Sequence, residues 1–298
     1  MGDYRAPLFL AWQLTNRCTS RCLHCCEESG PDKGWKDELS SERAISIARE
    51  IVSLGIPYVA FGGGEPLGVP HCWDIFQILA AGGVEIKLET NGLLIDDLAA
   101  DRLRDLKVAC IQISLDGATA GVHEQLRPEG PWKGAVESIR RLAQRGLEPE
   151  LVFIPSRINV GDAAKVYDMA AGIGVRTFVT GPMMRLGRAA FAWDTLAPTP
   201  EAWNEAVAAL KARAKAHNDK VRLAIYPWGI QQEMLTRAKS PQAMMLVVPN
   251  GRVKLLNALP FAVADLKKIS LKEAWPEVVS AWKNRTVQDF VARAQTEH

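Results

Sequence analysis

Four of the six cysteines fall within one short stretch: Cys18, Cys22, Cys25 and Cys26. The run Cys18-Thr19-Ser20-Arg21-Cys22-Leu23-His24-Cys25 has the spacing C-x3-C-x2-C. Three thiolates on one loop can take three corners of a cubic iron–sulfur cluster and leave the fourth iron open. An open position separates a reactive metal centre from a closed structural one. Zinc is the other reading, with Cys18, Cys22, Cys25 and either His24 or Cys26 as ligands. Adjacent residues chelate one ion awkwardly, and structural zinc sites usually draw a second ligand pair from elsewhere. Cys72 and Cys110 stand alone, so no second pair is visible. Cys26 also leaves open a C-x3-C-x3-C ligand set in place of Cys25. Clustering of this kind suits metal binding in a reducing compartment rather than a disulfide framework.

Other segments could do chemistry beside such a centre. Phe61-Gly62-Gly63-Gly64-Glu65-Pro66 lets a backbone approach a ligand closely. It does not fit G-x-G-x-x-G, and alone it reads equally as a turn. Thr90-Asn91-Gly92 and Ser114-Leu115-Asp116-Gly117 read either as Asx-type turns or as ligand-lining segments. Arg127, Arg157, Arg185 and Arg188 offer planar donors suited to a carboxylate or phosphate. Solvated surface charge is the plain alternative for each.

These residues need a frame. From residue 8 to about 180, strand-like and helix-like segments alternate. Strands are expected at 8–14, 58–61, 84–90, 108–115, 148–154 and 175–180, with helices at 97–106 and 132–144 between them. Ser40 or Ser41 could cap a helix carrying Ala44, Ile45, Ala48, Ile51 and Val52 on one face. Repeated units of this length predict a parallel sheet. In 108–116 one face carries Cys110, Gln112, Ser114 and Asp116, and the other is apolar. An apolar face against helices and a polar one inside suit an incomplete barrel around a ligand. The fold class expected is therefore α/β, a partial (β/α)6 TIM-like barrel over 1–190 with a C-terminal α+β cap over 191–298. Within the cap, a helix is expected at 201–216, a strand at 221–226, and a hairpin of 245–248 and 252–256 turned by Asn250-Gly251. A last helix is expected from Pro276.

The cysteine spacing, its place after the first strand and the motifs above resemble the radical S-adenosylmethionine (SAM) superfamily over residues 8–190. The resemblance implies one [4Fe-4S] cluster on Cys18, Cys22 and Cys25 and SAM as the second cofactor. It implies SAM contacts from His24, Gly63, Gly64, Glu65, Thr90, Asn91, Ser114, Asp116 and Arg127. Reduction by a flavodoxin or ferredoxin would start the chemistry, and a 5′-deoxyadenosyl radical would abstract hydrogen from a substrate. Gly187-Arg188-Ala189 is similar to a segment of the SPASM/twitch branch, as are 250–253 and 270–275. That branch normally carries auxiliary clusters in its extension. No cysteine follows Cys110, so a single cluster is expected and redox-neutral reactions gain weight. A peptide or small anionic intermediate is the expected substrate, with Arg157, Arg185 and Arg188 facing it. An amino sugar or nucleoside is the alternative, and an iron–sulfur carrier is the non-catalytic one.

Composition excludes other classes. Hydrophobic residues make up 48% and charged residues 23%, enough apolar material for a large core. The formal net charge of +2 gives no electrostatic footprint for nucleic acid. No segment approaches the roughly 18 apolar residues of a membrane span. No signal peptide or myristoylation pattern is visible, so a cytoplasmic protein is expected.

Overall fold

The computed structural model describes residues 4–294. Its ten strands are, in chain order, β1 (Phe9–Thr15), β2 (Tyr58–Gly63), β3 (Glu85–Thr90), β4 (Cys110–Ser114), β5 (Glu150–Phe153), β6 (Thr177–Thr180), β7 (Arg222–Ile225), β8 (Met244–Val247), β9 (Arg252–Lys254) and β10 (Ala262–Asp265). Helices alternate with strands as far as β7, so the chain has the α/β class its sequence predicts. Each expected strand before β8 is present, shortened, lengthened or shifted by a residue or two. No helix among the described residues is long and apolar enough to cross a membrane.

The chain divides into two compact units. Among the described residues the first contains 4–16, 34–87 and 230–294. Its strands run in the order β10-β9-β8-β1-β2, with β8, β1 and β2 parallel and the hairpin antiparallel. Apolar Leu10, Trp12, Val59, Phe61 and Met245 lie in register at alternate positions on one face of this sheet and are buried. Helix Ser41–Ser53 begins at Ser40, whose side chain accepts from the Arg43 N–H. The β8–β9 turn has Gly251 at φ +80°, the conformation that Asn-Gly supplies.

Two expectations about this unit change. Strand β8, expected only as one arm of a hairpin, also pairs in parallel with β1, Phe9 opposite Met244. The last long helix begins at Leu271 instead of Pro276. Ser270 and Glu273 form a reciprocal capping box that fixes the earlier start.

The second unit contains residues 17–33 and 88–229. Strands β4, β5, β6 and β7 run parallel and adjacent in that order. Ile111 and Ile113 are buried while Cys110, Gln112 and Ser114 are half-buried, the alternation expected of β4. Phe153, Phe178 and Tyr167 stack in the core beneath this sheet. The active segments of the sequence, other than the glycine turn, lie in this unit.

Candidate functional site

The cysteine loop has no helix or strand of its own between residues 18 and 29. An isolated bridge from Arg17 to Gly30 closes its ends, and the Cys18 N–H donates to the Gly30 carbonyl at 3.0 Å. Each motif sulfur then receives an N–H. Cys18 Sγ accepts from Ser20 N at 3.5 Å and from Asn91 Nδ2 at 3.7 Å. Cys22 Sγ accepts from Arg127 Nη1 at 3.4 Å, and Cys25 Sγ from Ser29 N at 3.4 Å. Burial pushes the Cys22 thiol up, with the Arg127 charge pulling against it. Cys26 differs: its Sγ lies 3.9 Å from the Glu27 carboxylate. Although Cys26 is solvent-accessible as a residue, desolvation of its sulfur, then Glu27 and Cys25, push the thiol well up.

Asp116, just past β4, is fully buried. Its Oδ1 accepts from Ile154 N at 2.8 Å, and its Oδ2 from Arg127 Nε at 2.6 Å. His24 Nε2 lies 3.1 Å from the same Oδ2. Burial alone would push this carboxyl up; Arg127, then His24, outweigh burial and hold it far below the usual range. The Asp116 N–H donates to His123 Nδ1 at 3.0 Å, and Asn159 Nδ2 donates to the Asp116 carbonyl at 3.0 Å. Burial, then Arg127, lower His123 to about 4, so its ring is neutral and free to accept. An added Cβ at Gly117 would lie 2.6 Å from the His123 nitrogen, which explains the glycine of the Ser-x-Asp-Gly segment.

The segment after β6 returns to the cysteine loop. Arg188 Nε donates to the Cys22 carbonyl at 2.8 Å and Nη2 to the Ser29 carbonyl, while the Arg188 N–H donates to the Cys25 carbonyl at 2.9 Å. Gly187 sits at φ +51°, and a Cβ there would meet the Cys26 and Cys25 carbonyls at 2.5 and 2.7 Å. Leu126, Met183, Ala189 and Leu196 form a small buried cluster behind this contact.

The glycine turn belongs to the first unit. A bulge shifts the β1–β2 register between Gln13 and Thr15. Gly63 lies at φ +102° with Thr15 O 2.7 Å from where a Cβ would stand, and Gly64 N donates to that carbonyl at 2.7 Å. Buried Glu65 caps the turn Pro66–Gly68 through the Leu67 N–H at 3.2 Å.

The residues picked out from the sequence therefore separate. Cys18, Cys22, Cys25, His24, Asn91, Asp116, Arg127 and Arg188 form one connected set around the loop. Asn91 Nδ2 also reaches Thr19 Oγ1 at 2.8 Å, and Thr90 Oγ1 accepts from Gly92 N at 3.0 Å. Ser114 is half-buried at the end of β4. The three expected substrate arginines divide, because Arg188 is committed to loop carbonyls. Arg157 Nε donates to the Ala197 carbonyl at 2.7 Å. Exposed Arg185 lies 5.7 Å above the Trp193 ring. Cys72 is buried and its thiol is pushed up to about 12 by burial and Glu65; Cys110 is half-buried. Sequence reasoning missed His123, Asn159 and Thr180. Asn159 follows Arg157 by two residues in the loop after β5, and a polar residue there was the available signal.

The site residues fit the cofactors the sequence implied. Three sulfurs carry N–H donors, and His24 Nδ1 and Thr180 Oγ1 are buried with no partner among the described residues. Buried polar atoms of this kind normally have one. No three His, Cys, Asp or Glu side chains among the described residues converge to hold one metal ion.

Residues 12–162 match the Radical SAM superfamily, and the chain belongs to that superfamily. It is 35% identical over 195 residues to the mycofactocin maturase MftC of Mycobacterium ulcerans, covering 65% of this chain and 52% of that one. It is 25% identical over 235 residues to the sporulation killing factor maturation protein SkfB of Bacillus subtilis, covering 78% of this chain and 56% of that one. The chain thus spans about half the length of these curated relatives. Streptococcus suis SuiB, solved with its precursor peptide SuiA, superposes with a TM-score of 0.73 at 12% identity, over 94% of this chain and 68% of that one. At that identity the likeness speaks for the fold alone.

Proposed function

We propose that this chain is a radical SAM enzyme that modifies a peptide, using one cluster held by Cys18, Cys22 and Cys25. The observation that carries the reading is the N–H donor on each of those sulfurs, with Cys26 set against a carboxylate instead. A bound cluster with SAM supplies reductive cleavage of the sulfonium to a carbon radical that removes a substrate hydrogen. The protein's part is to hold and orient. Asn91 and Arg188 fix the loop. Carbonyls of the Gly63-Gly64-Glu65 turn are assigned to the SAM amino group, and Ser114 to its polar tail. His24 Nδ1 and Thr180 Oγ1 are buried polar atoms available to the nucleoside.

Two relatives named as maturases and a fold neighbour solved with a precursor peptide support a peptide substrate. Exposed Arg185 beside Trp193 is the assigned substrate contact, since Arg157 and Arg188 already serve protein carbonyls. Residues 191–298 hold no cysteine, so this part of the chain brings no cluster of its own. A flavodoxin or ferredoxin is the proposed electron donor. The test is anaerobic reconstitution followed by SAM and dithionite. 5′-Deoxyadenosine should form, and its yield should rise with the cognate precursor peptide, whose mass should change. A reconstituted protein that makes no 5′-deoxyadenosine would refute the enzyme reading; a yield unmoved by peptide but raised by a small metabolite would replace the substrate.

A further inference from the structure

Arg127 spends its guanidinium on three different partners. Nε meets Asp116 at 2.6 Å, Nη1 meets Cys22 Sγ at 3.4 Å, and Nη2 lies 3.3 Å from His24 Nε2. Arginine and aspartate are 7% and 0% exposed. Burying such a pair costs desolvation that an apolar pair would not, so its retention calls for a reason beyond stability. The surrounding bonds supply rigidity. Asp116 is fixed from Ile154 N, His123 and Asn159, and the Leu126 carbonyl beside Arg127 accepts from Leu23 N at 2.9 Å. The donor aimed at Cys22 therefore has one available direction.

We propose that Asp116 and Arg127 form a buried clamp that holds an N–H donor and a positive charge on the Cys22 sulfur and thereby raises the reduction potential of the cluster. Hydrogen bonds to the sulfurs and local charge are the levers by which proteins set such potentials. An arginine guanidinium is not deprotonated in proteins, so the clamp brings a fixed positive charge. Arg127 is thus a positioning and tuning residue, and Asp116 acts through it. This inference rests on the ligand reading of Cys22.

EPR-monitored potentiometry of the anaerobically reconstituted full chain, without SAM, tests it. Arg127→Met should keep its iron yet lower the midpoint by at least a tenfold drop in the reduction equilibrium, about 59 mV for one electron. The Arg127→Met/Asp116→Asn double variant leaves no unpaired buried charge and should also fall. Arg127→Lys, which keeps charge without the fork, should lie between Arg127→Met and the parent. A midpoint equal to the parent's in the Met variants would overturn the clamp. Loss of iron from both would overturn it too, because a tuning clamp is not needed for assembly. A parent protein that takes up no cluster would instead defeat the ligand reading beneath it.

Discussion

The cysteine loop and the glycine turn after β2 both carry motif residues next to strand ends, and they are held by different means. The glycine turn is organised locally. Its bulge, the Thr15 carbonyl and the Glu65 cap all lie within the turn or on the adjacent strand. The cysteine loop has no internal regular structure and borrows its order from Asn91, Gly187 and Arg188, all far downstream in sequence. Neighbouring sulfurs that must become anionic repel one another, and cations and N–H donors brought from elsewhere answer that cost. A motif that binds through its backbone can be built from glycines and a bulge. A motif that binds through charge needs the rest of the unit.

That contrast can be broken or sharpened by substitution. The largest effect is expected at the two glycines. Gly187→Ala forces a side chain into the left-handed region against two loop carbonyls, and Gly63→Ala does the same against Thr15. Each should cost about 2–4 kcal/mol in guanidinium unfolding. Only Gly187→Ala should also reduce iron uptake, because only it disturbs the loop.

Next comes pH. His123 has a folded pKa of about 4 against an ordinary value of 6.5. Its depressed value means the unfolded chain takes up the proton first. Stability should be full above pH 6.5 and fall as pH drops toward 4, by about 3 kcal/mol at most. His123→Asn, which can still accept from Asp116 N, should flatten the urea-denaturation profile across that window. A parallel profile would show that another group titrates there.

Arg188→Met removes two charged-donor bonds to loop carbonyls and should cost about 2 kcal/mol. Protease cleavage within 17–30 should speed up in this variant while the glycine turn stays protected. The smallest effect is expected at Asn91→Ala, about 1 kcal/mol, with a modest loss of iron. An equal loss of iron from Glu65→Gln would erase the distinction between the two regions.

The frame was legible where signals are local. Ser40 as a cap, the Asn250-Gly251 hairpin and the alternation of β4 all follow from residue type and spacing. The parallel pairing of β8 with β1 was not, because partner choice between distant strands leaves no mark in either segment. Strand β10, with its short Ala-Val-Ala-Asp run, has no periodicity to read. The helix at 271–281 was placed late because Pro276 reads as a helix start, and the Ser270–Glu273 box outranks it. At the site, the cysteines and Asp116 declared themselves by type. Their partners did not: Arg127 and Arg188 read as ligand-facing charges, and only folding turns both toward the cysteine loop.

Iron content and EPR of the four single variants Cys18→Ala, Cys22→Ala, Cys25→Ala and Cys26→Ala, reconstituted side by side, test the central claim most directly. The first three should lose the [4Fe-4S] signal and Cys26→Ala should keep it near the parent level. A Cys26→Ala protein without a cluster, or a Cys25→Ala protein that retains one, would contradict the ligand set on which the account stands.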